Sequence, residues 1–178
     1  MIDELDLQLK PDPGMELNVT EEALRINGIN LEQHLKDPRT MTYSSAKTAI
    51  EAFLIKNKIK GRKRSFRPCG QNIEFDIKFI KALLIEHETW DKYIHYRKLD
   101  NLDIITFLQD IGFFPNDIGN LESQVEYLGL PKGLAHNAKE DVKMTVEVYK
   151  TIRKMFINNK SSSTGLISSD ILSIIEER

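Results

Sequence analysis

"GQNIEFDIKFI" runs from Gly70 to Ile80 and changes character twice within eleven residues. It takes over from "RSFRPCGQ", a strand candidate weakened by Pro68, which has no N–H for a ladder. It turns at Gly-Gln-Asn and continues into apolar residues at helical spacing. Strand, tight turn and helix predict an α/β fold. They set Asp76 at the start of a helix, beyond the carboxyl end of a strand, where open α/β sheets gather their sites. The helix is expected from about Glu74 to His87, with Phe75, Phe79, Leu83 and Leu84 on its apolar side and Asn72 holding the turn.

The flanking sequence extends the alternation of strand and helix. "ELDLQLKP" alternates at Leu5, Leu7 and Leu9 and stops at Pro11, as a strand with one buried face would. A short helix capped by Thr20 follows in "NVTEEALRINGI", with Glu21 and Glu22 in its first turn. "SSAKTAIEAFLIKNKIKG" is an amphipathic helix with Ala46, Ile50, Phe53 and Leu54 inward and Gly61 at its end. "NLDIITFL" is the next strand candidate. "NLESQVEYLGL" is a short helix ended by Gly129, and a long helix is expected from about Ala138 to Phe156. The expected organisation is one domain over residues 1–157, a Ser/Asn-rich linker over 158–165 and a short apolar-acidic helix over 166–178.

Composition excludes several classes. The chain has 178 residues, 25 Lys and Arg against 27 Asp and Glu, and a net charge of −2. That balance is not the bulk electrostatic footprint of a nucleic-acid binder, so any such contact must be local. A single cysteine, Cys69, cannot form an internal disulfide, and the N-terminus has no basic start followed by an apolar run. No stretch approaches the roughly 20 apolar residues that a membrane helix requires. A cytoplasmic protein without membrane contact is expected.

"HNAKED" supplies a second acid and a base: Asp141 on the long helix and His136 on the segment leading into it. Phosphodiester hydrolysis by two divalent ions needs carboxylate oxygens, because Mg²⁺ and Mn²⁺ are hard cations. It also needs a group that takes a proton near neutral pH, which histidine does. A lead-in segment can move, bringing the imidazole to the water when substrate is bound.

These residues resemble the DEDDh 3′–5′ exonucleases, the family of polymerase proofreading subunits and oligoribonuclease. The family's Asn-x-x-Phe-Asp pattern is matched by Asn72, Phe75 and Asp76, and its His-x4-Asp by His136 and Asp141. "DNLDII" from Asp100 resembles the strand between those motifs, "LESQVEYLG" the following Leu-Gly helix, and the Leu7–Ile29 region the segment upstream. The resemblance covers about Leu5 to Phe156. It implies a ribonuclease-H-like mixed sheet flanked by helices and nucleotide removal from the 3′ end of single-stranded DNA or RNA. It implies two Mg²⁺ or Mn²⁺ ions held in part by Asp76 and Asp141, with His136 as general base. Asn72, Phe75 and Asp100 would support the site or contact substrate. A role in DNA replication or repair, beside a polymerase or another replication protein, follows from the same likeness.

The chain departs from the family at its start. The family's first strand carries an Asp-x-Glu with two further ligands; Asp3, Glu4 and Asp6 stand beside the wrong strand and in the wrong order. The first strands of the sheet are therefore expected to be missing from these residues, supplied by a longer reading frame or by a partner. Gln71 stands where the family often has His. The alternative is an exonuclease-like module that has lost catalysis and docks a protein or nucleic acid. Elsewhere the plainer readings prevail: Trp90, Tyr93 and Tyr96 as packing of a long loop, and the basic run "KNKIKGRKRSFR" as a solvated connector.

Overall fold

Five helices start at a side chain that accepts a backbone N–H two or three residues ahead, offsetting the unpaired donors of the first turn. Thr20 accepts from Ala23, Asn30 from Gln33, Thr42 from Ser45, Asp100 from Leu102 and Asn120 from Ser123. The computed structural model describes residues 3–133 and 138–162. In chain order it has β1 (Gln8–Lys10), α1 (Glu21–Ile26), α2 (Leu31–Lys36), β2 (Thr40–Thr42), α3 (Tyr43–Asn57), β3 (Cys69–Gly70) and α4 (Ile73–Phe79). A π-helical turn (Ile80–Leu84) continues α4, and α5 (His87–Tyr93), β4 (Leu99–Asp100), α6 (Asn101–Asp110), α7 (Leu121–Tyr127) and α8 (Ala138–Ser162) complete the order. No helix among the described residues is long and apolar enough to cross a membrane.

The α/β expectation holds, and the sheets are small. The four strands form two separate parallel pairs, β1 with β2 (Leu9 opposite Met41) and β3 with β4 (Gly70 opposite Asp100). Among the described residues no antiparallel strand joins them into the mixed sheet expected from the sequence. A single bridge, Phe66 to Ile94, extends the β3–β4 pairing towards its start.

The buried apolar residues form two clusters. One joins Ile105 and Leu108 of α6, Phe114, Ile118, Val125 of α7, and Val148 and Ile152 of α8. The other joins Leu54 of α3, Ile77 of α4, Ile85, Trp90 and Tyr93 of α5, and Ile94. Trp90 and Tyr93 are thus core residues, on a helix rather than the expected loop, whereas Tyr96 does not pack there and is 70% exposed.

Three expectations are corrected. "NLDIITFL" is helix, not strand: Asp100 caps it, and Ile105 and Leu108 meet the core one turn apart. Only Leu99 and Asp100 remain extended. Phe75 and Phe79 do not anchor α4. Its inward stripe is Ile73, Ile77, Ile80 and Leu84, and Phe75 and Phe79 meet in a tilted pair, 4.9 Å between ring centres, and are 61% and 54% exposed. The long helix α8 runs to Ser162, through the first residues read as linker. The remaining linker and the C-terminal segment lie outside the described residues.

Candidate functional site

The site is organised by Asp100, at the end of β4. Its carboxylate is only 6% exposed and accepts three backbone N–H bonds, from Asn72 (2.8 Å), Ile73 (2.9 Å) and Leu102 (3.1 Å). One buried carboxylate thereby ties the turn before α4 to the start of α6. Charge-assisted bonds of this kind are stronger than neutral ones. The turn itself needs the help. Asn72 has φ of 55° and ψ of 42°, in the left-handed region, where asparagine is one of the few residues other than glycine found routinely. The turn is thus held by Asp100, to which the Asn72 N–H donates, and the Asn72 side chain makes no cap. The neighbouring Gln71 carries a buried side-chain oxygen that accepts no hydrogen bond among the described residues.

Asp76 follows one turn into α4, exposed, on the helix that Asp100 aims. Its neighbours strip enough water from the carboxyl to hold it above the usual range, and the negative charge of Asp100 adds to the effect; its own backbone N–H pulls the other way. A carboxylate whose charged form is disfavoured, facing outward at a strand's end, gains from a bound cation. Phe75 and Phe79 stand exposed beside it, an aromatic pair open to contact.

Asp141 belongs to the first turn of α8. The start of that helix is secured against the same centre: the side-chain amide of Asn101, the residue after Asp100, donates to the carbonyl of Thr145 at 2.8 Å. Thr145 lies about one turn beyond Asp141, about 6 Å along the axis. The half-buried Asp141 lines a groove of about 280 Å³ with Asn120, Leu121, Lys132 and Met144. Lys132 at this groove is paired with Glu126 at 2.9 Å.

The structure thus brings Asn72, Asp76 and Asp100 together and pins the helix of Asp141 to the residue next to Asp100. Both oxygens of Asp100 are committed to backbone N–H groups, so its part is to position rather than to ligate. His136 lies outside the described residues. Among the described residues no three His, Cys, Asp or Glu side chains are grouped to hold a metal ion. Asp76 and Asp141 are oxygen donors of the kind that hard divalent cations take. The triple acceptance by Asp100 was not foreseen; the only signal for it was an acid immediately before a helical stretch, the ordinary mark of a cap. No family model matches this chain, and no curated protein matches it in sequence.

Proposed function

We propose that this chain is the greater part of a DEDDh-type, ribonuclease-H-like 3′–5′ exonuclease, which hydrolyses the terminal phosphodiester of single-stranded DNA or RNA. The observation that carries the reading is the Asp100 clamp, which holds a left-handed Asn72 and presents Asp76 with its charged form disfavoured. In this reading Asp76 and Asp141 ligate, and two further acids come from an Asp-x-Glu strand outside these residues, in a longer form of the protein or a partner. Two Mg²⁺ or Mn²⁺ ions, when bound, neutralise the phosphate and acidify the attacking water. His136 accepts the proton of that water, and Phe75 contacts the terminal base or sugar.

The test is the shortening of a 5′-labelled oligonucleotide with Mn²⁺ and with EDTA. The protein extended to include an Asp-x-Glu strand should shorten it only with metal, and the 178 residues alone should not. Asp76→Asn, Asp141→Asn and His136→Ala should each lose most turnover while remaining folded. An extended protein that binds the oligonucleotide but never cleaves it would leave the docking module in place of the enzyme.

A further inference from the structure

Two stretches of this chain hold positive charge without any negative charge among them. Residues 56–67 contain seven Lys and Arg, and residues 92–98 contain three more. Together they have ten of the chain's 25 cations and none of its 27 acids, which leaves 15 cations against 27 acids everywhere else. A protein with a net charge of −2 therefore has one strongly basic region.

The fold brings the two stretches together. Arg64 N–H donates to the Lys92 carbonyl (3.2 Å), Phe66 N–H to the Tyr93 carbonyl (3.1 Å), and His95 N–H to the Phe66 carbonyl (2.7 Å). The Arg64 guanidinium adds a bond to the Asp91 carbonyl at 3.0 Å. The loop before them is no loose connector. The Ser65 hydroxyl donates to the Arg62 carbonyl (3.0 Å) and accepts from the Ile59 N–H (3.1 Å), closing a turn that presents Lys60, Arg62 and Lys63 outward.

Of the ten cations, only Lys56 and Lys98 have a carboxylate within ion-pair distance among the described residues, from Asp3 and Glu74. The others face solvent unneutralised. In their midst Tyr96 is 70% exposed, stacks on His95 at 4.6 Å and has the Arg97 guanidinium 5.5 Å from its ring. A cleft of about 290 Å³ opens beside it, with Arg64, Lys81 and Lys98 on its walls and Trp90, His95 and Tyr96 among its rings. Glu74 and Asp91 also border the cleft.

We propose that this surface is a binding site for single-stranded nucleic acid, separate from the Asp76 carboxylate. Unneutralised cations held by a fixed backbone match a phosphate chain. An exposed ring with a stacked neighbour and a guanidinium gives an unpaired base a platform, which neither an acidic protein nor a lipid surface would use. Tyr96 lies at a bend four residues before Asp100, on the lead-in to β4. The surface borders the start of the β3–β4 pair, and its cleft reaches Glu74 and Ile77 of α4 without including Asp76 among its lining. The proposal does not require that the chain cleave what it holds.

Fluorescence anisotropy of labelled (dT)20, with EDTA present so that cleavage is silent, tests it on the full chain. If five phosphates are engaged, the log–log salt slope is about −3.5, and affinity falls about 100-fold between about 50 and 200 mM salt. The triple variant Arg62→Glu, Lys63→Glu, Arg67→Glu should bind more than tenfold more weakly and with a flatter slope. Tyr96→Ala should lose about tenfold with the slope unchanged. Arg97→Glu alone provides a second charge test should the triple variant fail to fold by circular dichroism. Wild-type affinity in these folded variants overturns the proposal. So does a wild-type chain that ignores (dT)20 but binds polyglutamate or phosphatidylserine vesicles.

Discussion

Asp76 and Asp100 stand within electrostatic reach of one another and have opposite thermodynamic roles. Asp100 stabilises the fold, because three backbone donors depend on it. An amide in its place has one oxygen and one NH₂, so Asp100→Asn sets a donor against a buried backbone donor. The expected loss is about 2–3 kcal/mol in urea unfolding. Asp76 works the other way. In the unfolded chain it titrates near the ordinary aspartate value, about 3.9, and in the fold it holds its proton to higher pH. The folded state therefore binds more protons than the unfolded state across that window, and stability falls as pH rises through it. Asp76→Asn should consequently be more stable than the parent at pH 7, with the gain disappearing below the unfolded-state value, where both forms are neutral. Thermal unfolding from acid to neutral pH measures this. A variant no more stable than the parent at neutral pH would mean that Asp76 is not destabilised by its surroundings.

At the scale of the element, α4 decides how the site faces. Its inward stripe is Ile73, Ile77, Ile80 and Leu84, and its outward pair is Phe75 and Phe79. Ile77→Ala should cost about 2–4 kcal/mol by opening a cavity, whereas Phe75→Ala should cost less than about 1 kcal/mol. The reverse order in a denaturant series would mean that the helix is rotated and Asp76 turned with it. The sequence permits either face, because isoleucine and phenylalanine both recur at i, i+4 in this stretch. Pattern alone favours the larger rings; packing against Trp90 and Leu54 selects the branched residues instead. What was legible was local. Thr20 and Gly129 punctuate helices as their types require, Gly129 with φ of 64°. Asn72 marks a turn, and Asp76 and Asp141 both fall in the first turn of a helix. What was not legible depends on partners distant in sequence. The conversion of "NLDIITFL" to helix needs the cap from Asp100 and the core around Ile105. The meeting of residues 64–66 with 92–95 needs a backbone pairing across about thirty residues, which no local pattern encodes.

At the scale of the whole molecule, the two hydrophobic clusters share no buried residue. The links between their elements include the short β3–β4 pair, the Asp100 bonds to the start of α4 and the Asn101 bond to α8, beside an open groove that Ala138 and Val142 of α8 border with Leu54, Ile80 and Leu84. A hydrogen-bonded seam is weaker against local opening than a continuous apolar core, so the clusters should open as separate cooperative units. Val148 is fully buried in the first cluster and is not a member of the second. Val148→Ala should lower the opening free energy of amides in α6, α7 and α8 by about 2 kcal/mol. Amides of α3 and α5 should change by less than half as much. Native-state hydrogen exchange distinguishes this from one global transition, in which every slow amide would shift together. The two acids assigned to the proposed site fall on different units, Asp76 on an element of the second cluster and Asp141 on an element of the first. Relative movement of the two units would then change the spacing of the two acids directly. Asn101→Ala, which removes the link to Thr145, should widen the gap in exchange protection between the two units while leaving Trp90 fluorescence native-like. Uniform destabilisation in that variant would show instead that the two clusters form one cooperative core.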